Sequence, residues 1–219
     1  MSEHPSPIAT VDVALFTLKD GQLSVLLAPR AADSEVFPLA DALPGGYIHA
    51  DKDDDAQASA QRVLTSKAGV SVPHLEQLYT FSGKFRDPRG WSLSIAYYAV
   101  IPFCDLPDSG LTLVAVDALP ALPFDHGAIV GAAVGRLRSK ASYSSLPLFL
   151  LPKKFTMDMV HAVYQQVMGV QLNKASFRRK IEAQGIITPL EGEKQHGAHR
   201  PAQLYRATDS CLREFDQVL

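Results

Sequence analysis

The sequence predicts a mixed α/β domain followed by a small winged helix-turn-helix unit, and three observations carry that reading. An Asp-Gly pair between two apolar runs near the N-terminus marks a β-hairpin. One amphipathic helix-like run stands among several strand-like segments. Near the C-terminus, two capped helices joined by a short turn lie in a basic stretch. A chain of 219 residues, 47% of them apolar, accommodates one medium and one small domain. The boundary is placed near Pro147, giving domains 1–147 and 148–219.

Residues 9–30 hold the runs ATVDVALFTL and QLSVLLAPR around Lys19-Asp20-Gly21, so the chain opens as a sheet. A polar loop over 31–42 leads to Leu43-Pro44-Gly45-Gly46, a turn in which glycine reaches backbone angles other residues avoid. Between 54 and 67, Ala56, Ala60, Val63 and Leu64 share one helix face, and Gly69 stops the helix. Asp53, Asp54 and Asp55 fall at its start, where free amides and the helix dipole favour negative charge, so capping is their first expected role. Strands are expected at 75–82, 91–103 and 111–116, and a helix at 126–140. Gly127, Gly131 and Gly135 either weaken that helix or permit close packing. The stretch 142–154 reads as a linker or the first contact of the second domain. Thr156 then caps a helix with Met159, Val160, Val163, Tyr164 and Val167 on one face and Gly169 at its end. Asn173 caps a second helix, 174–184, closed by Gly185. Strands at 186–190 and 203–206 around a polar tip make a wing, and 209–218 reads as a last helix.

Charge is uneven along the chain. Residues 1–124 carry 8 Lys/Arg against 15 Asp/Glu, whereas 125–206 carry 12 against 5. A basic second half invites a polyanionic partner. The longest strongly apolar run, LPLFLLP, is too short to span a bilayer, and the N-terminus has no signal-peptide pattern, so a cytoplasmic protein is expected. Cys104 and Cys211 are far apart and read as buried or idle thiols, not as a metal pair.

Two groups of residues are chemically suggestive. Lys84-Phe85-Arg86-Asp87-Pro88-Arg89 places three cations on one turn between strands. Arg86 and Arg89 can grip phosphate oxygens through paired donors, and a solvated basic hairpin is the alternative. Tyr79, Phe81 and Tyr97 can stack on a base or fill a core. In the helix 174–184, Phe177 and Ile181 face inward, leaving Ala175, Ser176, Arg179 and Ala183 outside, flanked by Lys174, Arg178 and Lys180. Small residues around one projecting arginine suit a DNA major groove, and the flanking cations suit phosphates. A solvated charged face is the alternative, against which stand the preceding helix and the wing residues Lys194, His196, His199 and Arg200.

The segment LPGGYIHADKDDDAQASAQRVLTSKAGV resembles a Nudix box, the motif through which diphosphates are cleaved with magnesium or manganese. Counted back from Gly69, the positions expected to hold glutamate are Val63, Ser66 and Lys67, while Arg62, Leu64 and Val70 fit. Hard divalent cations need oxygen ligands, so the box retains its scaffold without its metal-binding chemistry. Neither a metal nor another cofactor is expected. The whole chain, through LPGGYI, RVLTSKAGV, RDPRGWSLSIAYYAV, FDHGAIVGAAVGRLRSKASYSSLPLFLLPKKFT, NKASFRRKIEAQGII and HRPAQLYR, resembles the NrtR family of Nudix-related regulators of NAD metabolism. That resemblance implies a mixed-sheet Nudix-like α/β/α sandwich sensing ADP-ribose or a related nucleotide, fused to a winged helix. As such a homodimer, the protein would bind inverted-repeat operator DNA as a repressor. By position, Arg86, Asp87 and Arg89 match that family's ligand loop, and residues 174–180, with Lys174, Ser176, Arg178, Arg179 and Lys180, match its recognition helix. Beside them, Gly45, Gly46 and Lys67 are expected at the ligand, and Lys194, His199 and Arg200 of the wing at DNA. Relatives of this architecture that sense sugars, a hydrolase using Asp51, Asp53, Asp54 or Glu76 for metal, and a pure interaction module are the alternatives.

Overall fold

The structure is a computed structural model that describes residues 6–108, 110–195, 201–216 and 218–219. Strands β1 (Ile8–Lys19) and β2 (Gln22–Pro29) form the expected hairpin, with Asp20 and Gly21 at positive φ in its turn. Strands β3 (Asp41–Ala42) and β4 (Gly45–Tyr47) are short. After helix α1 (Ala56–Val63) come β5 (Leu75–Gly83), β6 (Ser92–Val100) and β7 (Thr112–Ala115), then helix α2 (His126–Ala141). The main path of the sheet is β3-β2-β1-β6-β5, with β4 also paired to β1 and β7 to β2. The β1–β6 pair is parallel and the others are antiparallel, so the sheet is mixed.

Alternation along β1 explains the layering, because successive side chains leave a strand on opposite faces. Val11, Val13 and Leu15 join Ala60, Val63 and Leu64 of α1 on one side. Ala14 and Phe16 join Ile129, Ala133 and Leu137 of α2 on the other. Both faces of the sheet are thereby covered. The α2-side core does not end with the sandwich: it continues through Leu146, Leu148 and Leu150 into Val160, Tyr164, Phe177 and Ile181. Residues 146–150 are a buried 3-10 turn, so this stretch makes the first contact of the second unit.

That unit comprises β8 (Phe155–Thr156), α3 (Met157–Met168), α4 (Lys174–Gln184), β9 (Ile187–Gln195) and β10 (Ala202–Ala207), with strand order β8-β10-β9. Thr156 caps α3 by accepting from Met159 N at 3.3 Å, and Asn173 caps α4 by accepting from Ser176 N at 3.0 Å. Among the described residues of 209–219, the expected last helix does not form. Backbone amides of the tail are bonded elsewhere: Phe215 N donates to Tyr143 O (2.7 Å) and Leu219 N to Ser142 O (2.8 Å). Amides committed to those carbonyls cannot close helical turns. The three glycines of α2 face open space with no neighbour within 4 Å, so close packing is not their role. Cys104 and Cys211 are free and exposed rather than buried.

Candidate functional site

The Nudix-like segment folds as α1 followed by a π-helical turn, Leu64–Ala68, ending at Gly69 in the left-handed region. Asp55 is the cap, accepting from Ala58 N at 2.7 Å. Asp53 has a different task. It holds Arg62 through two 2.7 Å contacts and accepts from His49 N, and the Arg62 guanidinium keeps its carboxyl well below the usual range. Arg62 also donates to Tyr47 O, so it clips the loop after β4 onto α1. The hydroxyls of Thr65 and Ser66 turn back to Gln61 O and Val63 O.

Between this turn, the ends of β1, β2 and β4, and the N-terminus of α2 lies a cavity of about 330 Å³. Gly45, Gly46, Lys67, Arg86, Asp87 and Arg89 all line it. Gly45 is required sterically: a Cβ there would lie 1.9 Å from an Asp12 carboxylate oxygen. At Gly46 a Cβ would meet only ordinary contact with Val63.

Asp12 is a buried carboxylate on an otherwise apolar strand, and its partners explain how it is tolerated. Ser94 Oγ donates to one oxygen at 2.6 Å, and His126 Nε2 stands 3.4 Å from the other. Leu43 N donates to His126 Nδ1 at 3.1 Å, so that nitrogen carries no proton and the remaining one sits on Nε2, facing Asp12. Arg86 is committed as well. It pairs bidentately with Asp125 at 2.9 and 2.7 Å and reaches Ser92 Oγ at 3.2 Å. Asp125 occupies the N-cap position of α2 but spends its carboxylate on Arg86. Arg89 makes the same kind of pair with Asp87 (3.0 and 2.7 Å) and also donates to Tyr47 Oη. Burial alone would raise the Asp87 carboxyl, but the Arg89 side chain and amide hold it below its ordinary value.

Sequence reasoning did not single out Asp12, Arg30, Tyr47, Phe124, Asp125 or His126. A charged residue interrupting the apolar alternation of β1 was the signal available for Asp12. Of the proposed stacking aromatics, Tyr97 is buried in the α1-side core, and Tyr79 and Phe81 pair edge-on with each other on β5, outside the cavity wall. Phe124, Tyr47 and the His126 imidazole are the aromatic rings of that wall. Glu76 is bound to Lys140 at 2.6 Å, also outside it. Among the described residues, no three His, Cys, Asp or Glu side chains converge as a metal site would require.

On the second unit, Phe177 and Ile181 of α4 are buried while Lys174, Arg178, Arg179 and Lys180 are exposed. Lys174 pairs with Asp158 (3.1 Å), Arg178 with Glu182 (2.9 Å), and Lys180 reaches Val218 O at 3.4 Å. Arg179 has no ion pair among the described residues. Ser176 is half-buried and Lys194 is exposed on β9, while His196, His199 and Arg200 lie outside the described residues. No described helix is long and apolar enough to cross a membrane.

Comparison with known proteins places these two regions together. The family model for the NrtR DNA-binding winged helix domain matches residues 147–207. The chain is 36% identical to the ADPR responsive transcriptional repressor NtrR of Acinetobacter baylyi, over 98% of this chain and 86% of that protein. Shewanella oneidensis NrtR complexed with a 27mer DNA superposes with a TM-score of 0.87 at 32% identity, covering 96% of this chain and 99% of that one. The NUDIX domain of the same protein complexed with ADP ribose matches at a TM-score of 0.54 and 33% identity, covering 61% of this chain and 90% of that one.

Proposed function

The chain belongs to the NrtR family of Nudix-related transcriptional regulators, and from that premise we propose that it is an ADP-ribose-responsive repressor of NAD-metabolism genes. The observation that carries this reading is the physical continuity between a nucleotide-sized cleft and a basic winged helix. Asp125 and His126, at one end of α2, are bonded into the cleft, and the other end of α2 belongs to the core that holds α3 and α4. A ligand that prefers one arrangement of the α2 N-terminus biases the whole helix, and through it the winged helix. Release of DNA then requires only that ADP-ribose bind the DNA-incompetent arrangement more tightly.

In this reading residues 1–147 are the sensor and 148–219 the reader, working as a homodimer on an inverted repeat. Gly45, Gly46, Lys67, Arg86, Asp87 and Arg89 shape the ligand cleft, and the cytoplasm is the site of action. Arg179 enters the major groove beside the small side chain of Ser176, with Lys174, Arg178, Lys180 and the wing residues Lys194, His199 and Arg200 against the backbone.

The sensor does not hydrolyse its ligand. A divalent cation does not fit the residues of the box: Val63 cannot ligate, the Ser66 hydroxyl is spent on a backbone carbonyl, and Lys67 brings a positive charge. Asp53 is already saturated by Arg62 and His49 N. An operator mobility-shift assay, using inverted repeats from promoters of NAD-metabolism genes, tests the proposal. Specific binding that weakens steeply with salt and is relieved by ADP-ribose is expected. Failure to shift any such site, or magnesium-dependent cleavage of ADP-ribose at an enzyme's rate, would overturn it.

A further inference from the structure

We propose that Arg30 and Lys67 form a metal-free seat for the diphosphate of the ligand, with Arg30 fixing its position. The inference rests on reading the cleft as a nucleotide sensor. Four cations line the cavity, and two of them are already neutralised. Arg86 is locked to Asp125 and Arg89 to Asp87, each through two hydrogen bonds to one carboxylate. Arg30 and Lys67 have no ion pair among the described residues, and they face the same space.

Arg30 is aimed by its surroundings. Its Nε donates to Val36 O at 3.1 Å, which leaves the two terminal nitrogens available. Its guanidinium carbon stands 4.9 Å from the centre of the Phe124 ring, a cation–π distance. Phe124 is held at φ +54° and packs edge-on at 5.0 Å against Phe37, itself at φ +50°. Bulky residues rarely adopt such angles, and strain of this kind persists where surrounding structure enforces it. The ring thus serves as a fixed platform for the guanidinium.

Lys67 projects from the π-helical turn, at a box position where glutamate is expected. Partial burial lowers the pKa of its ammonium, and Arg30 lowers it further, against an opposing pull from Asp12. Two cations that repel each other across an open cleft are relieved by an anion placed between them. A diphosphate inside a larger molecule carries two negative charges on adjacent phosphoryl groups. The arginine fork suits two oxygens of one group, and the lysine point charge suits the other. The lysine then supplies charge that a bound metal would supply in a hydrolase, without activating water.

Calorimetric titration in EDTA tests the seat, with ADP-ribose, inorganic pyrophosphate and adenosine as probes. Wild-type protein is expected to bind ADP-ribose without metal. Arg30→Gln and Lys67→Gln should each weaken it at least about tenfold, the loss expected for a charge-assisted bond. Arg30→Lys should give a smaller loss, and adenosine binding should not depend on either side chain. Unchanged circular dichroism and thermal unfolding establish that each variant is folded. Wild-type affinity for ADP-ribose in a folded Arg30→Gln variant, or a requirement for magnesium, would overturn the seat while leaving the repressor reading intact. If wild-type protein does not bind ADP-ribose, the sensor assignment fails instead. Pyrophosphate binding then decides the seat separately, through its dependence on Arg30.

Discussion

The two sides of the sheet are built alike and connected differently. On the α1 side, Val11, Val13 and Leu15 meet Ala60, Val63 and Leu64 in a core that closes on itself. On the α2 side, Ala14 and Phe16 meet Ile129 and Leu137 in a core that runs on into α3, α4 and the wing. The α1 side gives the cleft Lys67, on the turn that follows α1, whereas the α2 side gives it His126 and the Asp12 face of β1 and also holds the winged helix. The cleft and the winged helix are therefore joined through the α2 side of the sheet, while the α1-side core stays apart from both.

Matched substitutions break or sharpen that contrast. Leu64 and Leu137 are each about fully buried, one per side, and truncation of either to alanine is expected to cost about 2–5 kcal/mol. Thermal unfolding should show comparable losses. Operator affinity at a temperature where both variants are folded should fall only for Leu137→Ala, and equal losses would erase the distinction. Next in size, Arg179→Ala should cost about 1–3 kcal/mol in operator binding and leave calorimetric ADP-ribose affinity unchanged. The helix caps offer a gentler pair. Asp55→Ala on α1 and Thr156→Ala on α3 should each cost roughly 1 kcal/mol of stability, yet only the second should weaken the operator complex.

The smallest effect is a pH dependence. Lys67 must be protonated to attract an anion, and burial together with Arg30 lowers its pKa, with Asp12 opposing. Affinity for ADP-ribose should therefore fall as pH rises through that lowered value, earlier than for an ordinary lysine. Calorimetry across alkaline pH checks this, and Lys67→Arg should flatten the profile.

Local signals account for most of the fold being legible in the sequence. Asp-Gly, the Asp55, Thr156 and Asn173 caps and the closing Gly69, Gly169 and Gly185 each act within a few residues, so they can be read without tertiary knowledge. The tail at 209–219 could not be read that way, because carbonyls of residues 142 and 143, remote in sequence, decide its conformation. The cleft divides along the same line. Gly45, Gly46, Lys67, Arg86, Asp87 and Arg89 belong to two contiguous motifs, and the fold brings both to one cavity. Asp12, Arg30, Phe124 and His126 come singly from separate elements, so no spacing announces them. Nor does sequence reveal that Arg86 and Arg89 are occupied by carboxylates, which shifts attention to the cations left without partners.

A cleft that binds a nucleotide without cutting it, and reports occupancy to DNA, must work without a metal. The most direct measurement follows operator release and ADP-ribose integrity in the same reaction, in EDTA and in magnesium. Release is expected at the same ADP-ribose concentration in both, with the nucleotide recovered intact. An operator complex that persists at saturating ADP-ribose, or release that proceeds only with magnesium and consumes the nucleotide, would contradict it.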